Sequence, residues 1–139
     1  MHKTIHTMNG IQHINPDGLL KSPAFSQAVV TEGNGKTIYI GGQNAVSGQG
    51  QIVGEDLATQ TEQAMQNLIT ALAACGAGME HVVRMGIYIL QGHDPRNGYA
   101  AAQKFMTAPH PPVITVLIVA GLNPGCLVEI EATAFVPAG

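Results

Sequence analysis

A carboxylate on an apolar strand is the first place where this chain offers chemistry. Over Leu127–Phe135 the residues alternate, with Val128, Ile130, Ala132 and Ala134 on one face and Glu129, Glu131 and Thr133 on the other. Burying a carboxylate on a central strand is costly unless it is partnered or working. Glu129 is therefore either a structural acceptor of backbone and hydroxyl hydrogen bonds, or a group that positions and activates a water, as hydrolysis of a C=N bond requires. The residues leave both roles open. Glu131 points the same way, two residues further from the turn Asn123–Pro124–Gly125. Gly41–Gly42 is the second feature: paired glycines ending a strand permit a tight bend, and they also let a ligand approach backbone N–H donors. The pair lacks the spacing of a GxGxxG loop.

Other chemistries find no support in the residues. His2 and His6 are four apart, but the segment has no helical apolar stripe, so a ragged terminus stands beside the metal-pair reading. His13, His81, His93 and His110 are scattered without ligand spacing, and no metal or cofactor is expected. Cys75 and Cys126 form no CxxC, which fits a reducing, cytoplasmic compartment. A net charge of −3, with two arginines and four lysines, provides no basic patch for a phosphate backbone, so nucleic acid is not the expected partner. Nothing resembles a membrane span of about 20 apolar residues.

The elements that must hold these residues are legible in outline. At 139 residues a single domain spanning 1–139 is expected. With 45% apolar and only 11% charged residues, one copy has too little polar surface to cover itself, which points to an oligomer. Lys3–Thr7 has weak strand character, broken by Asn15–Pro16–Asp17–Gly18; Ala28–Thr31 and Lys36–Gly41 read as a hairpin about Gly33–Asn34–Gly35. Asp56 is a good N-cap for a helix whose stripe runs Leu57, Thr61, Ala64, Met65, Leu68, Leu72 and Cys75, with Gly76 just past its end. Gln60, Gln63, Gln66 and Asn67 are assigned to its opposite face, in water or loose contact. Val82–Leu90 reads as a central strand. Asp94–Pro95 opens a second helix reaching about Met106, with Tyr99, Ala102, Phe105 and Met106 inward, and Pro109–Pro112 closes it. Val113–Val119 is nearly all apolar, as expected of a strand buried on both faces. Strands and helices in this order predict an α+β fold, a mixed sheet with both helices on one face, its other face covered by neighbouring copies.

Four segments in this order, PAFSQAV (Pro23–Val29), IYIGGQ (Ile38–Gln43), QTEQAMQNLITALAACGA (Gln60–Ala77) and LVEIEATAFV (Leu127–Val136), resemble the Rid family, also called YjgF. The resemblance implies a chorismate-mutase-like fold, a homotrimer with small-molecule clefts between subunits, and, as in the family's best-known members, hydrolysis of reactive enamines and imines to keto acids and ammonia without a cofactor. In the family's best-known members an arginine clamps the substrate carboxylate and a glutamate positions water. Carried over by position, the glutamate is Glu129, while the arginine is replaced by Ile114 in Pro112–Val113–Ile114. The serine before Gly-Gln falls on Gly41, beside Gly42. The N-terminal tyrosine falls on Phe25, a pocket asparagine near Tyr99 with Asn97 close by, and a cysteine on Val116.

Without the arginine, the expected cleft is apolar, and a carboxylate ligand beside Glu129 would be repelled. Arg96 is the nearest substitute cation. The first expectation is thus a deaminase or hydrolase acting on a neutral or aromatic C=N or enamine compound. A non-catalytic trimer that binds a small metabolite is the alternative. A ribonuclease, an older label in the family, is disfavoured by the acidic balance.

Overall fold

A computed structural model describes residues 3–8 and 10–139, so the pairing of His2 with His6 lies outside the described side chains. Helix α1 (Leu57–Ala74) begins where its spacing says it should: the Asp56 carboxylate accepts from Thr59 N at 2.7 Å, satisfying one orphan donor of the first turn. That bond holds the Asp56 carboxyl below its ordinary pKa. Gly76, at φ +79°, ends the helix as a left-handed residue. Its stripe buries Leu57, Ala64, Met65, Leu68 and Leu72, each worth roughly 1.5–3 kcal/mol for the larger side chains, against the sheet. Cys75, expected on that stripe, is exposed, because the turn that closes the helix carries it off the buried face.

The sheet under α1 has the order β4-β7-β5-β6 (β4 Gly35–Gln43, β5 Val82–Leu90, β6 Val113–Val119, β7 Val128–Pro137). β7 lies antiparallel to both β4 and β5, whereas β6 runs parallel to β5. The parallel step needs a crossover, supplied by α2 (Pro95–Gln103), which packs beside α1 on the same sheet face. This is the expected α+β arrangement. α2 stops at Gln103 rather than Met106, and Phe105 and Met106 follow in turns that still pack on the core.

Further expectations are corrected. β3 (Ala28–Thr31) does not form a hairpin with β4; it joins a separate sheet of order β1-β2-β3, with β1 Lys3–Met8 and β2 Ile11–Pro16. The segment read as a weak strand or ragged terminus is thus a real hairpin around Gly10, at φ +86°. Gly41–Gly42 does not end β4. The strand continues to Gln43 through a register irregularity between Ile40 and Gln43. Finally, β6 is not covered on both faces in one chain: it is the sheet edge, with Val116, Leu117 and Ile118 about half exposed.

Candidate functional site

Alternation places Glu129 as its sequence says, on the sheet face away from the helices. Val128, Ile130, Ala132 and Ala134 are buried under α1, and Glu129, Glu131 and Thr133 are half-buried on the open face. Tyr88 stands opposite Glu129 on β5 and Gly86 opposite Glu131. The two glutamates then differ in their partners. Glu131 Oε1 accepts from the Tyr88 hydroxyl at 2.6 Å and from Arg84 Nη1 at 3.4 Å, and this bond holds the Tyr88 phenol above its ordinary pKa. Glu129 has a looser holder: Asn44 Nδ2 donates to Val128 O at 3.0 Å and reaches Glu129 Oε1 at 3.4 Å.

Gly42 is shaped around that carboxylate. A Cβ at Gly42 would lie 2.6 Å from both Cδ and Oε2 of Glu129, whereas one at Gly41 would meet nothing within 4 Å. The irregularity in β4 therefore brings bare backbone against Glu129, and Gly41 stands exposed beside it. Asn44 is itself fixed from α1: Asn67 Nδ2 donates to Asn44 O and Val46 O, both at 2.9 Å, and Gln63 Nε2 donates to Asn67 Oδ1 at 2.9 Å. Sequence reasoning left Gln63 and Asn67 to water or loose contact and missed Asn44. The signal was there in an amide face on a helix whose neighbours are loops with unpaired carbonyls.

The remaining candidates lie on the other side of the sheet. Ile114 and Val116 face the helices, opposite Met85 and Ile87. With Phe25 and Tyr99 they line a cavity of about 390 Å³ between α2 and the sheet. Tyr99, expected inward, is 56% exposed; it borders this opening rather than the core, because Gly98 and Ala101 are the α2 residues pressed inward. The wall is braced behind Phe25. Ser26 N donates to Pro112 O at 3.0 Å, the Ser26 hydroxyl donates to Pro111 O, and His13 Nδ1 lies 3.0 Å from each of Ser26 Oγ and Pro111 O. His13 and Ser26 are both buried, and they tie the Phe25 loop to the start of β6.

Charge is scarce around this cavity. Arg96 borders it, but its guanidinium is bound to the Asp94 carboxylate, with Nη2 to Oδ2 at 2.8 Å and Nε 3.0–3.1 Å from both oxygens, and its side chain is 90% exposed. The pairing lowers the Asp94 pKa and raises that of Arg96. One polar group on the buried side is unsatisfied: Thr61 is 2% exposed and its Oγ1 has no hydrogen-bond partner among the described residues. An unpartnered buried hydroxyl costs about 1–3 kcal/mol. Among the described residues no three His, Cys, Asp or Glu side chains gather as a metal site, and no helix is long and apolar enough to cross a membrane.

Within one chain, then, the candidate residues fall into two groups. Glu129, Gly41 and Gly42 occupy one face; Phe25, Tyr99, Ile114 and Val116 occupy the other.

Comparison with known proteins places this geometry among relatives. The family model for endoribonuclease L-PSP matches residues 19–136. Protein DfrA of Myxococcus xanthus is 31% identical over 133 residues, covering 95% of this chain and 94% of that protein. The human 2-iminobutanoate/2-iminopropanoate deaminase is 30% identical over 111 residues, covering 79% and 78%. A crystal structure of YyfB from Yersinia pestis, a Rid-family protein of unknown function, superposes with a TM-score of 0.82 at 35% identity, covering 93% of this chain and 100% of that one.

Proposed function

The chain belongs to the endoribonuclease L-PSP family, that of the Rid and YjgF proteins, and from that premise we propose that it deaminates a neutral or aromatic imine or enamine by hydrolysis. The observation that carries this reading is the contrast between the two glutamates of β7. Glu131 is engaged by a phenol and a guanidinium at its first oxygen, whereas Glu129 is held by a single long amide contact beside a glycine that leaves its second oxygen uncovered by any side chain at that position. A carboxylate so held can orient a water and take its proton. The water oxygen bonds to the imine carbon while the proton taken by Glu129 passes to nitrogen, giving a carbinolamine. Glu129 then takes the carbinolamine hydroxyl proton and delivers it to the amine as the C=O bond forms and the C–N bond breaks, releasing ammonia and a carbonyl product.

The substrate class follows from what Ile114 and Arg96 do. The known activity of the human relative, on 2-iminobutanoate and 2-iminopropanoate, involves substrates that carry a carboxylate. Here the clamp position is isoleucine, forfeiting charge-assisted bonds worth about 1.5–3 kcal/mol each. Arg96 is occupied by Asp94. An apolar cavity suits an uncharged or aromatic ligand. We place the complete cleft between copies in a homotrimer, one copy supplying the cavity and its neighbour Glu129 with Gly41 and Gly42. The two groups sit on opposite faces of one sheet, and the face bearing Glu129 is left without helices.

The test is ammonia and carbonyl release from imines and enamines generated in situ, some bearing an α-carboxylate and others neutral or aromatic. The protein and Glu129→Gln are run side by side. Acceleration of the neutral or aromatic set, lost by at least 100-fold in the variant while ligand binding persists, is the expected result. Good turnover of α-carboxylate imines would overturn the substrate class, and its loss on Arg96→Ala would identify the cation responsible. No acceleration of any substrate would overturn the deaminase and leave a metabolite-binding trimer.

A further inference from the structure

The cavity between α2 and the sheet has a direction. Its polar residues Arg96, Gln103 and Tyr99 are exposed and mark the mouth, whereas Met85, Val128 and Ile130 are fully or almost fully buried and form the inner wall. Thr61 belongs to that buried side. It projects from α1, and its hydroxyl lies against Gly98 of α2, where a Cβ would come 3.2 Å from Oγ1. Both residues line the cavity. In a helix, threonine has two accessible χ1 wells, so rotation can carry the hydroxyl into the place the methyl holds, the methyl moving to where the hydrogen was.

We propose that this cavity is a subsite for an uncharged aromatic ring carrying a hydroxyl or carbonyl group, inserted with that group innermost and hydrogen-bonded to Thr61. The observations converge on this class. Phe25 and Tyr99 offer ring faces and edges, and Met85 and Met106 offer sulfur, a favourable neighbour of aromatic rings. A charged ligand finds no free ion at the inner end, since the lining's charged residue, Arg96, is at the mouth and tied to Asp94. A purely hydrocarbon ligand offers the Thr61 hydroxyl no partner; a ligand with one donor or acceptor at its leading end does. The assignment specifies which substituent the proposed deaminase substrate carries at its buried end, and so rests on that reading for its biological meaning, though not for its test.

Phenol and toluene are the probes, matched in shape and differing in the hydroxyl. Their dissociation constants are measured on the full-length protein by NMR, following the methyl signals of Met85 and Met106, in wild type, Thr61→Val and Thr61→Ser. Wild type and Thr61→Ser should favour phenol over toluene by about tenfold more than Thr61→Val does, the size of one buried hydrogen bond. Valine matches threonine in shape and removes an unsatisfied group, so Thr61→Val should melt no lower than wild type, which guards against a folding artefact. An unchanged phenol-to-toluene ratio in Thr61→Val, or probes that leave both methionine methyls unshifted, would overturn the proposal. Selective phenol binding with no imine turnover would retain the subsite and sink the deaminase. Turnover without phenol selectivity would do the reverse.

Discussion

Glu129 and Glu131 share a strand, a face and a half-buried setting, yet their neighbours give them different capacities. Tyr88 and Arg84 saturate one oxygen of Glu131 and make it part of the scaffold. Glu129 is left to Asn44 and to the bare backbone of Gly42. Gly42→Ala tests how tightly this arrangement is set. Its methyl would fall 2.6 Å from the carboxylate, and since the clash is with the end of a flexible side chain, Glu129 gives way rather than the strand. The expected outcome is a drop in kcat of at least tenfold with a loss of stability under about 1.5 kcal/mol, read by turnover and urea denaturation. A variant with full activity would show that Glu129 has room to spare. The alternation of β7 displayed both glutamates in the sequence. Their unequal partners were not visible there, because all are far from them along the chain: Tyr88 and Arg84 meet them through strand pairing, and Asn44 through the loop that follows β4.

At the scale of elements, α1 carries more than its apolar stripe. Gln60 is 1% exposed and holds two loops together, its Nε2 donating to Gly54 O at 3.1 Å and Gly125 O at 2.9 Å while Oε1 accepts from Leu127 N at 2.8 Å. Assigning Gln60 to the water face of the helix followed from its polarity, and it failed because a buried amide can satisfy three backbone groups that no secondary structure reaches. Gln60→Leu keeps the volume and deletes all three bonds. It should cost about 3 kcal/mol by thermal or urea unfolding, and a cost below about 1 kcal/mol would mean that water replaces the side chain. The helix caps, the bounds of β5 and β6 and the sheet-face alternation were readable because each depends on residues a few positions apart. The β3–β4 hairpin was misread because Gly33–Asn34–Gly35 is a sound turn whichever sheet its flanking strands enter.

For the molecule as a whole, the division of candidate residues between two sheet faces makes the site a property of an assembly under the proposed function. Ile114→Trp should fill the cavity of its own copy while leaving Glu129 intact; Glu129→Gln does the converse. Each variant alone should be inactive. Unfolded, mixed and refolded together, they should regain turnover, because some clefts then pair an open cavity with a working carboxylate. Mixing without recovery would overturn the shared cleft. The low charge and abundant apolar residues announced an oligomer, and the assembly proposed above would cover apolar surface such as the half-exposed Val116, Leu117 and Ile118 of β6.

The strand order has a further consequence for biosynthesis. β7 sits between β4 and β5 and pairs with both, yet it follows every other strand in the chain. On the ribosome, β4 and β5 emerge with no strand to join them, and α1 has only part of the surface it will cover. Pairing across such separations is slow and leaves apolar strands open in the meantime. The sheet can close only when Val128–Pro137 has left the exit tunnel, and until then the apolar strands of the nascent chain must be shielded.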